Sequence, residues 1–466
     1  MLKKQKRILY LLMLLVLTTS LVACGAPPTA ELEPTVEQPV SEVQPTAEVP
    51  PTSEVVEVAE TEAPAVTEAE AGFPTGEITF IAPIDTPGFF PDMGQTFMNM
   101  HPGVTVNVIE AAWDNIHEKL TTDFAAGGYT YDAVMVPADY IPEFASAEWL
   151  LPFTEDQVAA ITEDNIAMNI AQFEGDVWGA PFTAYPQLLS YNTQMLEAAG
   201  AEAPTTFSEW HEVCLKVVEA GNQYCMLLPL KQGRYAPMKF ENFTYAMGGK
   251  IADEEGNMVL AEDPRTLAAC EWIRAGMLDH KYIDPASIET DDFQDITSYG
   301  DGRWAFDNNS AWAFFQGASN PEMSNIIGYS HVLLWPTGDD GVGGGTRSFG
   351  AVLSIPTNAK NAELAWEFIK FMVSDEGQKK QLFDTGNLPV YAHLFTDPEV
   401  VEKIVDIELM GEQIKLGTST LPYRWEPEYE RILGPWLHKA WLGELTCQEA
   451  LSGAQTEIEE MIASYE

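Results

Sequence analysis

The chain has 466 residues, 46% of them hydrophobic and twelve of them tryptophan, so material for a sizeable core is ample. Acidic residues outnumber basic ones by 71 to 24, a net charge of −47. Such a field repels polyanions, which argues against nucleic acid as a partner and against electrostatic docking on anionic lipid; a solvated acidic surface accounts for it.

Lys3, Lys4, Lys6 and Arg7 precede an apolar run from Ile8 to Ala23, the layout of an export signal, so residues 1–23 read as a signal peptide. The run is shorter than the roughly 20 apolar residues that span a bilayer. It closes on Leu21-Val22-Ala23-Cys24, which resembles the lipobox of bacterial lipoproteins. That resemblance implies that Cys24 is acylated, becomes the new N-terminus and fastens the chain to a membrane; an uncleaved anchor helix is the alternative. Residues 24–76 are Pro, Thr, Ala, Val and Glu, with eleven glutamates and no lysine or arginine. This composition cannot bury enough apolar surface to offset its ordering entropy, and a disordered tether is predicted. About 390 residues remain from Glu77 onward, too many for one core, so two lobes are expected.

The body opens with an apolar strand, "GEITFIAP", and a helix, "FFPDMGQTFMNMHPG". "VTVNVIEAA" alternates Val104, Val106 and Val108 at period two, and "WDNIHEKLTTDFAAGG" sets Ile116, Leu120 and Phe124 on one helical face. "YDAVMVP" is a short buried strand. Strand and helix in alternation predict a parallel sheet wrapped by helices. In such sheets ligands lie beyond the carboxyl ends of the strands, which brings Asp85, Trp113, Asp139 and Tyr140 to one rim. Two carboxylates and two aromatics suit a hydroxyl-rich ligand: carboxylates accept from hydroxyls and ring faces pack on sugar C–H surfaces. The plainer alternatives are that Trp113 covers its own helix face and that Asp85 and Asp139 serve loop or N-cap chemistry.

Cys214 and Cys225 enclose "CLKVVEAGNQYC", while Cys270 and Cys447 stand alone. A Cys214–Cys225 bridge, worth roughly 3 kcal/mol for a loop of this size, and simple burial of both thiols fit the pattern alike. The seven histidines are scattered with no pair at metal-ligand spacing, so no metal and no cofactor is expected.

Longer phrases then carry a resemblance. "FEGDVWGAPFTAYPQLLSYNTQMLEAAGAEAPTTFSEW" holds a Gly-x-x-Trp-Gly-x-Pro turn from Gly175 to Pro181, the pair Tyr191-Asn192, and Thr206-Phe207 where Thr-Trp is usual. "GDGRWAFDNNSAWAF", "GGGTRSFGAVLSIPTNAKNAELAWEFIKFMVSDEGQKKQLFDTGNLP" and "GELTCQEALSGAQTEIEEMI" follow in order. Together they resemble the extracellular solute-binding proteins of bacterial ABC importers, the maltose-binding-protein group, over nearly all of Glu77 to Glu466. The resemblance implies an α/β, two-lobed periplasmic-binding-protein-like fold (type II). Each lobe would be a mainly parallel sheet flanked by helices, with the ligand cleft between lobes. The first lobe would comprise residues 77–183 and 349–395, the second 184–348 and 396–466, with crossings near Phe182–Pro186, Arg347–Ala351 and Ala392–Asp397.

Carried over motif by motif, the resemblance implies that Trp312 stacks on a sugar ring and that Asp139 binds its hydroxyls. Tyr423 or Trp425 in "LPYRWEPEY" would add an aromatic from the second lobe, and Tyr185 would face the cleft from the hinge. Arg347 would reach an acidic or hydroxyl group, or else be an exposed hinge cation. Val136-Pro137-Ala138 lacks the tryptophan that often precedes the family's aspartate, which speaks against a long maltodextrin. The function implied is a monomeric, lipid-anchored, extracytoplasmic receptor that captures a carbohydrate by cleft closure and delivers it to an ABC permease. It is not an enzyme on this reading. The alternatives are the same receptor with another cargo (polyamine, glycerol phosphodiester, peptide) and a secreted carbohydrate hydrolase built on a carboxylate pair.

Overall fold

The computed structural model describes residues 72–465, save 85, 254–255, 420–422 and 424. The predicted signal peptide, Cys24, most of the predicted tether and Asp85 lie outside the described residues. The folded body starts earlier than predicted: Phe73, assigned to the tether, stacks on His101 at 3.9 Å and packs on the first lobe's core.

The first lobe begins with β1 (Gly76–Pro83), α1 (Phe89–Met100), β2 (Val104–Ala111), α2 (Trp113–Ala125), β3 (Ala133–Pro137) and α3 (Ile141–Ser146). β4 (Ala180–Ala184) closes this part of the chain. Its sheet has the order β2-β1-β3-β9-β4, where β9 is Gly350–Ser354. β1 runs parallel to β2 and β3, whereas β9 is antiparallel to both β3 and β4. Period-two side chains split the core into two layers. Ile78, Phe80, Ala82, Ala133, Met135, Ala351 and Leu353 face one way, onto α1. Ile81, Val134, Val136 and Val352 face the other, where Ile116, Leu120 and Phe124 of α2 and Phe144 of α3 cover them. Fully burying a side chain of this kind contributes about 1.5–3 kcal/mol, so the alternation itself selects the register.

The second lobe follows with β5 (Gln187–Asn192), α4 (Phe207–Glu219), α5 (Tyr235–Ala246), α6 (Pro264–Leu278), α7 (Asp292–Gly300), β6 (Phe306–Ser310) and β7 (Ser330–Leu333). Here the expectation of a mainly parallel sheet is corrected. The order is β6-β5-β7, and β5 is antiparallel to both neighbours. Five α-helices intervene between β5 and β6, a short one over Thr193–Ala198 and then α4 to α7, so no single crossover fixes the strand direction. Every residue of α5 from Ala236 to Ala246 is buried, polar ones included.

The chain passes between the two sheets at Tyr185–Pro186, linking β4 to β5. It returns at Phe349, between β8 (Arg347–Ser348) and β9. α8 (Ala362–Met372) adds Leu364, Phe368 and Ile369 to the first lobe's core. α9 (Asp375–Thr385) fastens the crossing: Gln378 Nε2 donates to the Phe182 carbonyl at 2.8 Å, and its Oε1 accepts from Val390 N at 2.8 Å. α10 (Ile407–Lys415) packs into the same core layer as α2, and β10 (Thr418–Ser419) pairs in parallel with β8. α11 (Glu426–Trp441) and α12 (Cys447–Ala463) end the chain in the second lobe's core.

Two disulfides lie in that lobe. Cys214–Cys225 joins α4 to the following apolar run, and Cys270–Cys447 joins α6 to α12 across 177 residues. The expectation that Cys270 and Cys447 stand alone is thereby corrected. Nothing in local spacing could pair residues that far apart, since only the packing of α12 on α6 brings them together.

Candidate functional site

At the carboxyl end of β3 the backbone enters a 3-10 turn, Ala138–Tyr140, and puts Asp139 and Tyr140 at the sheet's rim. Asp139 Oδ1 is sealed from solvent and has no hydrogen-bond partner among the described residues. Burial raises the pKa of this carboxyl, and nearby Arg347 and Arg234 act against that rise. Burial, with the charge of Asp139 next, raises the Tyr140 phenol too, so it stays a donor at neutral pH. Behind Tyr140, His117 on α2 lies 2.7 Å from the Glu143 carboxylate and 4.7 Å, edge-on, from the tyrosine ring. The hydrogen bond to Glu143 raises the His117 pKa, and the pair fixes the loop that carries Asp139.

The crossings supply an aromatic row. Tyr185 stacks on Phe349 at 5.7 Å and meets Trp113 edge-on at 6.2 Å, while the Arg234 guanidinium stands 5.6 Å over Phe349. Trp113, Asp139, Tyr140 and Tyr185 therefore gather at the junction of the two sheets, together with Phe349 and Arg234, which sequence reasoning missed. Phe349 could have been found, because it sits between Arg347 and Ala351 in a predicted crossing. Arg234 starts a helix without a sequence signal.

Arg347 is also at the junction, and of its two readings it is the exposed hinge cation that is corrected. It is 4% exposed and bound by three second-lobe glutamates. Nη2 lies 2.7 Å from Glu426, and Nη1 lies 2.7 Å from Glu430 and 3.5 Å from Glu241. Burial alone would favour a neutral guanidine, yet Glu426, Glu241, Glu430 and Asp139 outweigh it and hold the charge. Burial pushes Glu241 up to about 7 against the pull of Arg347. Both terminal nitrogens of the Arg347 guanidinium are thereby engaged, while the buried Nε has no partner among the described residues. The role of Arg347 is to tie α5 and α11 to the crossing strand β8. A cavity of about 330 Å³, lined by Arg234, Glu430, Gln232 and Pro427 among others, opens beside this group. A smaller one of about 10 Å³ lies at the crossings between Pro186, Arg347, Phe349 and Ile414.

Trp312 and the pair Tyr423–Trp425 stand in separate groups. Trp312 lies in a one-turn helix, Ala311–Ala313, capped by the Ser310 hydroxyl and followed by a π-helical turn over Phe314–Ala318. It is half-buried, meets the exposed ring of Phe293 edge-on at 5.6 Å, and its sealed Nε1 has no partner among the described residues. Such π turns are frequent at functional sites. Tyr423 and Trp425 stack on one another at 4.5 Å. Trp425 is buried in the second lobe's core beside Tyr429, which leaves Tyr423 as the outer ring of the two. No group of three or more His, Cys, Asp or Glu among the described residues could hold a metal ion.

Residues 80–379 match the family model of the bacterial extracellular solute-binding proteins, well over half of the chain. The chain belongs to that family. It is 24% identical over 312 residues to a putative binding protein of Brucella abortus, spanning 65% of this solute-binding protein and 72% of the relative. An uncharacterised lipoprotein of Streptomyces antibioticus is 28% identical over 158 residues, 32% of this chain and 34% of that one. Among solved structures, the maltose-bound MalE3 of T. maritima superposes with a TM-score of 0.74 at 20% identity. That match covers 83% of this chain and 99% of MalE3, so the two share the two-lobed fold.

Proposed function

We propose that this solute-binding protein captures a carbohydrate between its two lobes and delivers it to the permease of an ABC importer. The observation that carries the reading is the pairing of Asp139, with its unpartnered Oδ1, and the aromatic row Trp113–Tyr185–Phe349 at the junction of the sheets. A buried acceptor without a donor costs about 1–3 kcal/mol, and a sugar hydroxyl would remove that cost. Ring faces beside it suit the C–H faces of a pyranose. Arg347 and Arg234 stand among the carboxylates of this junction and offset part of their charge, which favours hydroxyls over a polycation. The maltose carried by MalE3 supports the same cargo class.

Closure of the lobes on cargo would shift an open–closed equilibrium, and the closed surface is what the permease would read. No bond need be made or broken, so no catalytic role is assigned. An extracytoplasmic location agrees with the family and with two disulfides, which persist in oxidising compartments. No helix among the described residues is long and apolar enough to cross a membrane. Lipidation at Cys24 is the anchor we assign, supported by the lipoprotein relative. Replacing Cys24 by Ser should abolish incorporation of labelled fatty acid into the chain, and equal labelling without Cys24 would refute the anchor.

A thermal-stability screen against a panel of mono- and oligosaccharides tests the cargo. A bound sugar at about a hundredfold excess over Kd adds about 2.7 kcal/mol to stability. At least one sugar should raise Tm and be recovered unchanged. Cleavage of that sugar would favour a hydrolase instead, and a panel without any shift would reject a carbohydrate cargo.

A further inference from the structure

In the second lobe, α7 and β6 each hold a buried carboxyl. Asp295 of α7 is fully buried and Asp307 of β6 is 3% exposed. Each carboxyl acts directly on the other, so the two side chains are immediate neighbours. Asp295 Oδ1 and Oδ2 and Asp307 Oδ1 have no donor from any other described residue. Two acceptors in contact can be bonded only through a proton on one of them, and two adjacent buried carboxylates cannot both stay ionised.

The groups facing the pair do not remove that requirement. Lys239 of α5, fully buried, donates to Gln187 Oε1 and to the Asn308 carbonyl, both at 2.7 Å. Its ammonium also lies 3.4 Å from Asp292 Oδ1 at the start of α7. One cation thus faces three carboxyls: Asp292, Asp295 and Asp307. The remaining titratable neighbours are Tyr299 of α7 and, beyond it, Tyr191 of β5. Tyr299 shares its hydroxyl with Ser330 Oγ at 2.8 Å.

We propose that Asp295 and Asp307 share one proton at neutral pH, Asp295 as donor and Asp307 as acceptor, and that this bridged pair positions Trp312. α7 and β6 both reach the turn that carries the tryptophan. Phe293, in the first turn of α7, meets its ring, and β6 runs from Asp307 to Ser310, whose hydroxyl caps the turn containing Trp312. A second tie, Asn309 Nδ2 to the Asp292 carbonyl at 3.4 Å, joins the same two elements. Burial, with the neighbouring carboxyl next, raises Asp295 well above the carboxylate range, and burial raises Asp307 to about 6. Both groups hold protons more tightly folded than unfolded. Their contribution to stability is therefore full below the ordinary carboxylate range and is lost as pH rises through 6 and above. The positioning half of the proposal rests on the reading of Trp312 as a cargo contact; the shared proton does not.

The test compares wild type, Asp295→Asn, Asp295→Ala and Trp312→Ala. Unfolding midpoints are followed from about pH 4 to about pH 8, and affinity is measured for the sugar that gives the largest thermal shift. An asparagine amide donates to Asp307 at every pH, so Asp295→Asn should flatten the decline seen in wild type and keep the sugar affinity. Asp295→Ala leaves Asp307 without its donor and should weaken sugar binding by about fivefold or more. The repulsion of the acidic surface is common to all variants and drops out of the comparison. An Asp295→Asn profile as steep as wild type would overturn the shared proton, whether or not the alanine variant folds. Unchanged affinity in Trp312→Ala beside a flattened Asp295→Asn profile would overturn the positioning role and the cargo role of Trp312 together, leaving the proton in place.

Discussion

Arg347 and Asp139 show how one junction divides its polar groups between architecture and recognition. Arg347 is buried with Glu241, Glu426 and Glu430 around it, and those contacts join the crossing strand to two helices of the second lobe. Removing one partner of such a cluster leaves uncompensated buried charge, whereas removing all of it can be neutral. Arg347→Met should therefore cost about 3–5 kcal/mol by chemical denaturation, far beyond an ordinary surface ion pair. A loss below about 1 kcal/mol would mean that the cluster is not structural. Asp139 is the opposite case. Its free oxygen adds nothing to the fold as it stands, and its worth lies in what it can accept. At this scale the sequence was half legible. Loop position after a strand brought out Asp139 and Tyr140, but two partners of Arg347 stand 79 and 83 residues further along the chain and the third, Glu241, lies far before it, where no local pattern reaches.

In the first lobe the edge strand β2 and the helix α2 follow their sequence periods closely, because each is amphipathic toward a single sheet. Val104 and Val106 are buried and the residue between them is exposed, and the Ile116–Leu120–Phe124 stripe of α2 lies on the sheet. The second lobe was harder to read. α5 is buried on all sides and so carries no stripe, and the antiparallel direction of β6 and β7 depends on long helical excursions. What fixes those helices includes covalent bonds. Cys270–Cys447 pins the terminal helix α12 to α6 and closes a loop of 177 residues. Replacing both cysteines by serine should lower stability by about 2–5 kcal/mol, with the loss appearing first as exchange of the α12 amides. Equal protection of α12 with and without the bridge would show that packing alone holds it.

At the scale of the whole molecule, the two sheets are joined by crossings rich in aromatic side chains, and the candidate site is made of those crossings and the rim of the first sheet. This arrangement was legible from the order of sequence phrases more than from any one of them, since lobes assembled from separate stretches leave no boundary in composition. Of the residues that complete the site, Phe349 comes from a returning crossing and Arg234 from the start of α5 in the second lobe. Asp139, on the first sheet, and Arg234, on the second lobe, lie close enough to influence one another, so a ligand there would touch both lobes at once. Calorimetric titration of wild type and Asp139→Ala with the sugar selected by the screen tests that account most directly. It predicts a single site whose affinity falls about tenfold or more in the variant while the unfolding midpoint without sugar is kept. Equal affinity in the two proteins, with heats that match, would contradict it.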